Sequence, residues 1–278
     1  IPYNPSSIGF IEKSEAYFSA VNYLAGIQHG VFTFGTRITP SDFAGFHIFY
    51  LNSGKMAVTN EYYPDGTGED FSVISMAVRG TYARRLTDRL KVGASLNYIR
   101  DQIYEAGMQT VSFDLGSNFD TGIYGVILGM SITNFGPEVQ YNGESLHITV
   151  PDTIDVDERV SKITDKFPLP LVFRLGIENE LMGPNSVFIK NPVHSLRLSI
   201  DGIKPSDYDV YGGFGLEYGW QGLAFVRSGM HLNHDTAGLS LGGGLNLRLG
   251  RMALTVDYAF VDYDVLKITH QVAMGLRF

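Results

Sequence analysis

The twelve residues that close the chain, Lys267-Ile268-Thr269-His270-Gln271-Val272-Ala273-Met274-Gly275-Leu276-Arg277-Phe278, alternate without a break. Ile268, His270, Val272, Met274, Leu276 and Phe278 fall on one face of a strand, and the intervening residues fall on the other. Strand side chains point to opposite faces with period two, so such a segment turns one side to lipid and the other to water or polar groups. A closing strand of this kind, ending on an aromatic residue, reads as a membrane-spanning β-strand.

The pattern recurs upstream. Met252, Leu254, Val256, Tyr258 and Phe260 oppose Ala253, Thr255, Asp257 and Ala259, and a turn of Gly250-Arg251 joins them to Leu239, Leu241, Leu245, Leu247 and Leu249. Further stripes run through Val210, Phe214, Leu216, Tyr218 and Trp220, through Leu196, Leu198 and Ile200, and through Leu169, Leu171, Phe173, Leu175 and Ile177. Similar runs at 223–233, 124–132, 111–115, 90–98, 74–82, 44–50, 32–38 and 16–24 bring the predicted number of strands to fourteen. An even number returns both chain ends to the same side of a membrane. The apolar stretches fall well short of the roughly eighteen residues of a spanning helix. Only helices and closed barrels satisfy every backbone group in hydrocarbon. The expected fold is therefore all-β, a 14-stranded antiparallel transmembrane β-barrel in the bacterial outer membrane.

Composition agrees. A chain of 278 residues suits one barrel, and its 32 glycines, 16 tyrosines and 18 phenylalanines fit close-packed strands with aromatic girdles. A net charge of -8 offers no basic face for nucleic acid. Without cysteine there is no disulfide framework, and no cofactor is implied. An export signal is expected ahead of Ile1 in the unprocessed protein.

Charge fixes which face is which. Arg79, Arg85, Lys91, Asp114, Arg174, Glu178, Arg197, Asp201, Glu217, Arg227, Arg248, Asp257 and Arg277 all lie opposite the apolar stripes. Arg or Lys against lipid at the midplane costs roughly 2–4 kcal/mol, so these groups belong in the lumen. There they either pair across strands as ordinary sheet stabilisation or line a polar conduit. Ile123, Ile127 and Phe225 are expected inside too and suggest a constricted lumen. Short links at 39–41, 87–89, 221–222 and 250–251 fall on one side, which is periplasmic by the rule for this class, and the long excursions 52–70 and 135–167 fall outside. The long, partly apolar link 182–193 departs from that rule.

Other clusters are weaker. Asp65, Glu69 and Asp70 set carboxylates on a glycine-rich loop where calcium is one reading, without the spacing of an EF-hand. Asp152, Asp155, Asp157 and Glu158 invite the same thought. His231, His234 and Asp235 gather near the outer rim with no serine in a nucleophile context, so the chain is expected not to be an enzyme. Gly242-Gly243-Gly244 lacks the Lys-Ser/Thr of a phosphate loop and reads as close packing or a kink in the wall.

Tyr3-Asn4-Pro5-Ser6-Ser7-Ile8-Gly9 with Ser14-Glu15 resembles the N-terminal run of the PorV/PorQ family of FadL-like outer-membrane barrels. The likeness continues through Pro64-Asp65-Gly66-Thr67-Gly68, the 82–89 segment, Val92-Gly93, Phe113-Asp114-Leu115-Gly116 and Ile132-Thr133-Asn134-Phe135-Gly136-Pro137. The resemblance implies an N-terminal lead over 1–14 folding into the lumen as a hatch, with the barrel proper over 15–278. Asn4 and Pro5 match the family's hatch motif; Ser6 and Ser7 stand where it has alanine and glycine, and Tyr3 stands for tryptophan. Two activities are implied. PorV-like members serve the type IX secretion system, binding cargo signal domains and the translocon. FadL-like members take up hydrophobic small molecules through an opening in the wall. The expected surroundings are outer-membrane lipid and lipopolysaccharide.

Overall fold

The computed structural model describes residues 1–150, 158–161, 164–236, 238–263 and 268–278. Fourteen strands make the wall: β1 (Ser14–Asn22), β2 (Gln28–Arg37), β3 (Asp42–Asn52), β4 (Val73–Arg85), β5 (Leu90–Ile103), β6 (Ala106–Asp120), β7 (Ile127–Phe135), β8 (Val172–Gly183), β9 (His194–Pro205), β10 (Tyr211–Trp220), β11 (Ala224–Leu232), β12 (Leu239–Leu249), β13 (Met252–Asp262) and β14 (Ile268–Arg277). Each pairs antiparallel with its chain neighbours, and β14 pairs with β1, Met274 opposite Phe18, so the sheet closes. Closure leaves no edge with unpaired backbone groups.

The burial pattern is inside out. On β14 the large apolar Val272 and Met274 are 54% and 52% exposed, while the intervening Ala273 is 3% exposed. Phe18, Leu96, Leu245 and Tyr258 repeat this on other strands, each exposed on the outer wall. A soluble chain does not leave so continuous an apolar belt facing water, whereas lipid accepts it.

Small inward residues keep the interior hollow. A Cβ at Gly176 would lie 2.2 Å from Asp201 Oδ1, one at Gly244 would lie 2.1 Å from Asp257 Oδ1, and one at Gly215 would lie 2.5 Å from Ser199 Oγ. Polar side chains of one strand thus lie flat in the glycine gaps of the next. Gly244 gives the Gly242-Gly243-Gly244 run its reason: the space holds the Asp257 carboxylate.

Several sequence expectations change. β5 and β6 run to 14 and 15 residues, well beyond 90–98 and 111–115. Near their outer ends Ile99 and Met108 point inward and pack with Val139, Leu169 and Tyr141 of the excursion between β7 and β8, so the apolar-out rule breaks there. Leu169 precedes β8 and is 6% exposed, in that cluster and not on the outer wall. Ile123 lies in the link between β6 and β7, 63% exposed, rather than inside. The link after β8 is built, not loose: Ile189–Lys190 pair in parallel with Met182 and Gly183, Ser186 is buried, and Phe188 stacks on Tyr124 at 5.9 Å. That folding back accounts for its length and apolar character. Asp152, Asp155, Asp157 and Lys267 lie outside the described residues, and Glu158 belongs to a small hairpin of His147–Val150 with Glu158–Ser161.

Candidate functional site

The N-terminal segment lies inside the barrel. Asn4 opens a short 3-10 turn, Pro5–Phe10, and its Oδ1 accepts from the Ser6 N–H at 3.0 Å and the Ser6 hydroxyl at 2.7 Å. Proline suits the first turn because its missing N–H has no partner to lose. Asn4 Nδ2 donates to the carbonyl of Ser117 on β6 at 3.0 Å and to that of Met130 on β7 at 3.2 Å. These two residues are register partners, so one lumenal amide bridges the β6–β7 seam. Asn118 Nδ2 donates to Ser6 Oγ at 2.6 Å, and Ser131 Oγ to the Tyr3 carbonyl at 2.7 Å. Ser6 is fully buried, and Ile8 packs on Phe43 and Ala83.

Glycines make the seat. A Cβ at Gly93 would lie 2.6 Å from the Pro5 and Ser6 backbone, one at Gly116 would lie 2.2 Å from Asn4 Oδ1, and one at Gly45 would lie 2.5 Å from Ile8 Cδ1. Gly93 faces Gly116 in register, as Gly35 faces Gly45. Cations grip the rim of the seat: Lys91 Nζ sits 3.9 Å from the Phe10 ring centroid, and the Arg174 guanidinium lies over Tyr3 at 5.4 Å.

A polar network stiffens the same wall. Arg79 Nε pairs with Asp114 Oδ2 at 2.9 Å and donates to Asn97 Oδ1 at 2.6 Å, and Asn97 Nδ2 donates to Asp114 Oδ1 at 2.9 Å. Asp114 Oδ1 also accepts the Asn134 N–H at 2.8 Å. Asn134 takes φ 65, a left-handed conformation that asparagine tolerates, at the register shift between Phe113 and Leu115 of β6. The seam between β6 and β7 is thus tied by side chains where its ladder is irregular.

The lumen beside the segment is open. A cavity of 790 Å³ lies beneath the N-terminal segment, bordered by Tyr3, Asn4, Arg174 and Asp201. A second, of 670 Å³, lies against β9 to β14 and is bordered by Tyr17, Glu217, Arg227 and Asp257. Glu178, Arg197 and Ser199 line both, so the two chambers adjoin. Along the second wall Arg227 forks between Glu217 Oε2 at 2.6 Å and Asp257 Oδ1 at 2.5 Å, and Arg197 Nη1 reaches Glu217 Oε1 at 3.5 Å.

Arg79 is drawn under the N-terminal segment; Arg174, Glu178, Arg197, Asp201, Glu217, Arg227 and Asp257 border the chambers. Arg248, opposite Ala253, lies exposed near the short-link end of β12. Asp70 pairs with Lys55 at 3.7 Å, and among the described residues no group of three or more His, Cys, Asp or Glu side chains converges, at Asp65, Glu69 and Asp70 or elsewhere. His231 and His234 join Tyr208 and Tyr211 in a ring cluster at the outer rim, with centroids 5.0–6.0 Å apart. The adjacent Asp235 carboxylate, hydrogen-bonded to Tyr208, raises that phenol above the ordinary tyrosine range. At the tip between β5 and β6 the Glu105 charge does the same to Tyr104.

Sequence reasoning named Asn4, Pro5 and Ser6 but missed Asn118, Ser131 and the glycine seat. Gly35, Gly45, Gly93 and Gly116 all fall on the inward face of strands, as do Gly176, Gly215 and Gly244, whose gaps receive side chains of neighbouring strands instead.

No protein-family model and no curated protein matches this chain. Solved structures do. The CymD monoaromatic hydrocarbon channel is similar at TM-score 0.58 and 11% identity, with 98% of this chain and 90% of that one covered. The Ralstonia pickettii toluene transporter TbuX is similar at 0.57 and 12%, covering 99% and 92%. A Pseudomonas aeruginosa FadL homologue is similar at 0.53 and 12%, covering 98% and 91%. At such identity the likeness speaks for the fold, which is that of the FadL-like outer-membrane barrels.

Proposed function

We propose that this barrel is a passive route by which hydrophobic small molecules cross the bacterial outer membrane. The observation that carries the reading is the divided lumen: an N-terminal segment seated on one wall, and two adjoining chambers left open beside it. Chambers of this volume suit small organic ligands. The β6–β7 seam supports a sideways exit toward lipid: its ladder shifts register between Phe113 and Leu115, where Asp114 ties Asn134, and Asn4 ties the regular pair Ser117 and Met130 beside it. Withdrawal of Asn4 removes two of those ties. The similarity to a monoaromatic hydrocarbon channel, CymD, and to a toluene transporter, TbuX, makes monoaromatic hydrocarbons the first substrates to try.

The test is uptake of radiolabelled toluene by cells whose lipopolysaccharide-bearing outer membrane carries this barrel. Faster uptake than in cells with an empty vector supports the route; equal uptake with a folded barrel present overturns it. The adaptor role implied by the PorV/PorQ resemblance needs a different result, the capture of folded cargo signal domains or translocon partners by the outer loops.

A further inference from the structure

We infer that the passage discriminates by charge, admitting neutral and cationic hydrophobic molecules ahead of anionic ones. This deepens the proposed route and rests on it. Two independent distributions of charge lead there.

The first is along the axis. Among the described residues, and leaving aside the short strand Glu158–Ser161, the links on the long-excursion side of the barrel carry eleven acidic residues against two basic ones, Lys55 and Lys166. Those on the short-link side, from the link after β2 to the link after β12, carry Asp88 alone against Arg89, Lys190 and Arg251. A solute arriving from outside therefore meets a negative mouth, and a mouth lined by one sign concentrates the opposite sign.

The second is inside. Among the described residues the chambers are bordered by six carboxylates, Asp120, Glu178, Glu180, Asp201, Glu217 and Asp257, and by three guanidiniums, Arg174, Arg197 and Arg227. The guanidiniums are engaged. Arg227 is held by Glu217 and Asp257, Arg197 reaches Glu217, and Arg174 donates to Thr133 Oγ1 at 3.1 Å beneath the Tyr3 ring. Among the described residues Glu178 and Asp201 form no ion pair, and Glu178 lines both chambers where they meet. An anion crossing there meets twice as many carboxylates as guanidiniums: Arg197 and Arg227 are already in ion pairs, and Arg174, which forms none among the described residues, also attracts Asp201. An ammonium group on the same skeleton finds two partners.

The experiment compares three molecules of one shape in the same barrel-bearing cells at neutral pH: toluene, benzylammonium and benzoate. At low ionic strength benzylammonium is expected to enter about tenfold faster than benzoate, with the gap closing as salt screens the mouth. E178Q/D201N, its folding checked by the mobility shift of closed barrels on gels, is expected to narrow the gap. Should that variant fail to fold, the salt titration of the native chain decides. Toluene entry with benzoate as fast as benzylammonium overturns the inference and leaves the route standing. A gap unmoved by both E178Q/D201N and salt also overturns it. No toluene entry sinks the route itself.

Discussion

Arg227 shows how one residue holds a hollow wall. Its fork joins β10, β11 and β13 at mid-lumen, with both carboxylate contacts at or below 2.6 Å. The group is not deeply buried: its side chain is 40% exposed, so water screens part of the attraction. Replacing it leaves Asp257 without an ion pair among the described residues and Glu217 with Arg197 alone, and an uncompensated carboxylate costs more than the lost attraction itself. Arg227→Met is expected to cost about 1–2 kcal/mol of folding free energy, discounted for that exposure, as read by urea unfolding in lipid vesicles. An unchanged midpoint shows that the fork is ornamental. Asn4 works differently, since its amide touches two strands and its carbonyl caps the turn behind it. Asn4→Ala is expected to free the N-terminal segment, seen as faster protease clipping within 1–14, while the barrel keeps its gel mobility.

The seat of the N-terminal segment belongs to the scale of strands, because no single residue builds it. Gly93 on β5 and Gly116 on β6 present a bare patch of backbone, and Asn4 and Pro5 lie in it. Gly116→Val is expected to expel the segment and raise single-channel conductance with the barrel still closed. Gly80→Val is the matching control, since a Cβ there meets nothing within 4 Å. Equal conductance in both variants means that the segment does not occlude the lumen. The same elements show what the sequence could tell. The wall was legible because lipid imposes apolar residues on every second position, as along Val272, Met274 and Leu276, and charge then assigned the faces. The seat was not, because a glycine facing the lumen leaves no periodic mark: it looks the same whether the gap receives Asp257, as at Gly244, or Asn4, as at Gly116. The outer ends of β5 and β6 escape the alternating pattern for a related reason. Ile99 and Met108 turn inward under the long excursion, and an apolar residue on the polar face reads as the end of a strand.

At the scale of the whole molecule the decisive property is the contrast between two surfaces one strand thick. Val272 and Gln271 are adjacent at mid-height on β14, yet Val272 is 54% exposed on the outer wall while Gln271 lines a chamber and donates to Ser19 Oγ at 2.8 Å. A guanidinium tests each surface in turn. At Gln271 it enters a wet space already lined by carboxylates, and it forfeits one hydrogen bond worth about 1 kcal/mol. At Val272 it enters hydrocarbon, where water defects and snorkelling repay only part of the desolvation. Val272→Arg is therefore expected to lower folding free energy in phosphatidylcholine vesicles by about 2–4 kcal/mol, and Gln271→Arg by no more than about 1 kcal/mol. Detergent unfolding is the second arm, since micelles deform around a charge more readily than a bilayer and shrink the difference. A reversed order, with Gln271→Arg the costlier change, requires the lumen to be dry and the outer wall to be wet. That would remove the membrane from the account, and with it the route and the charge discrimination built on it.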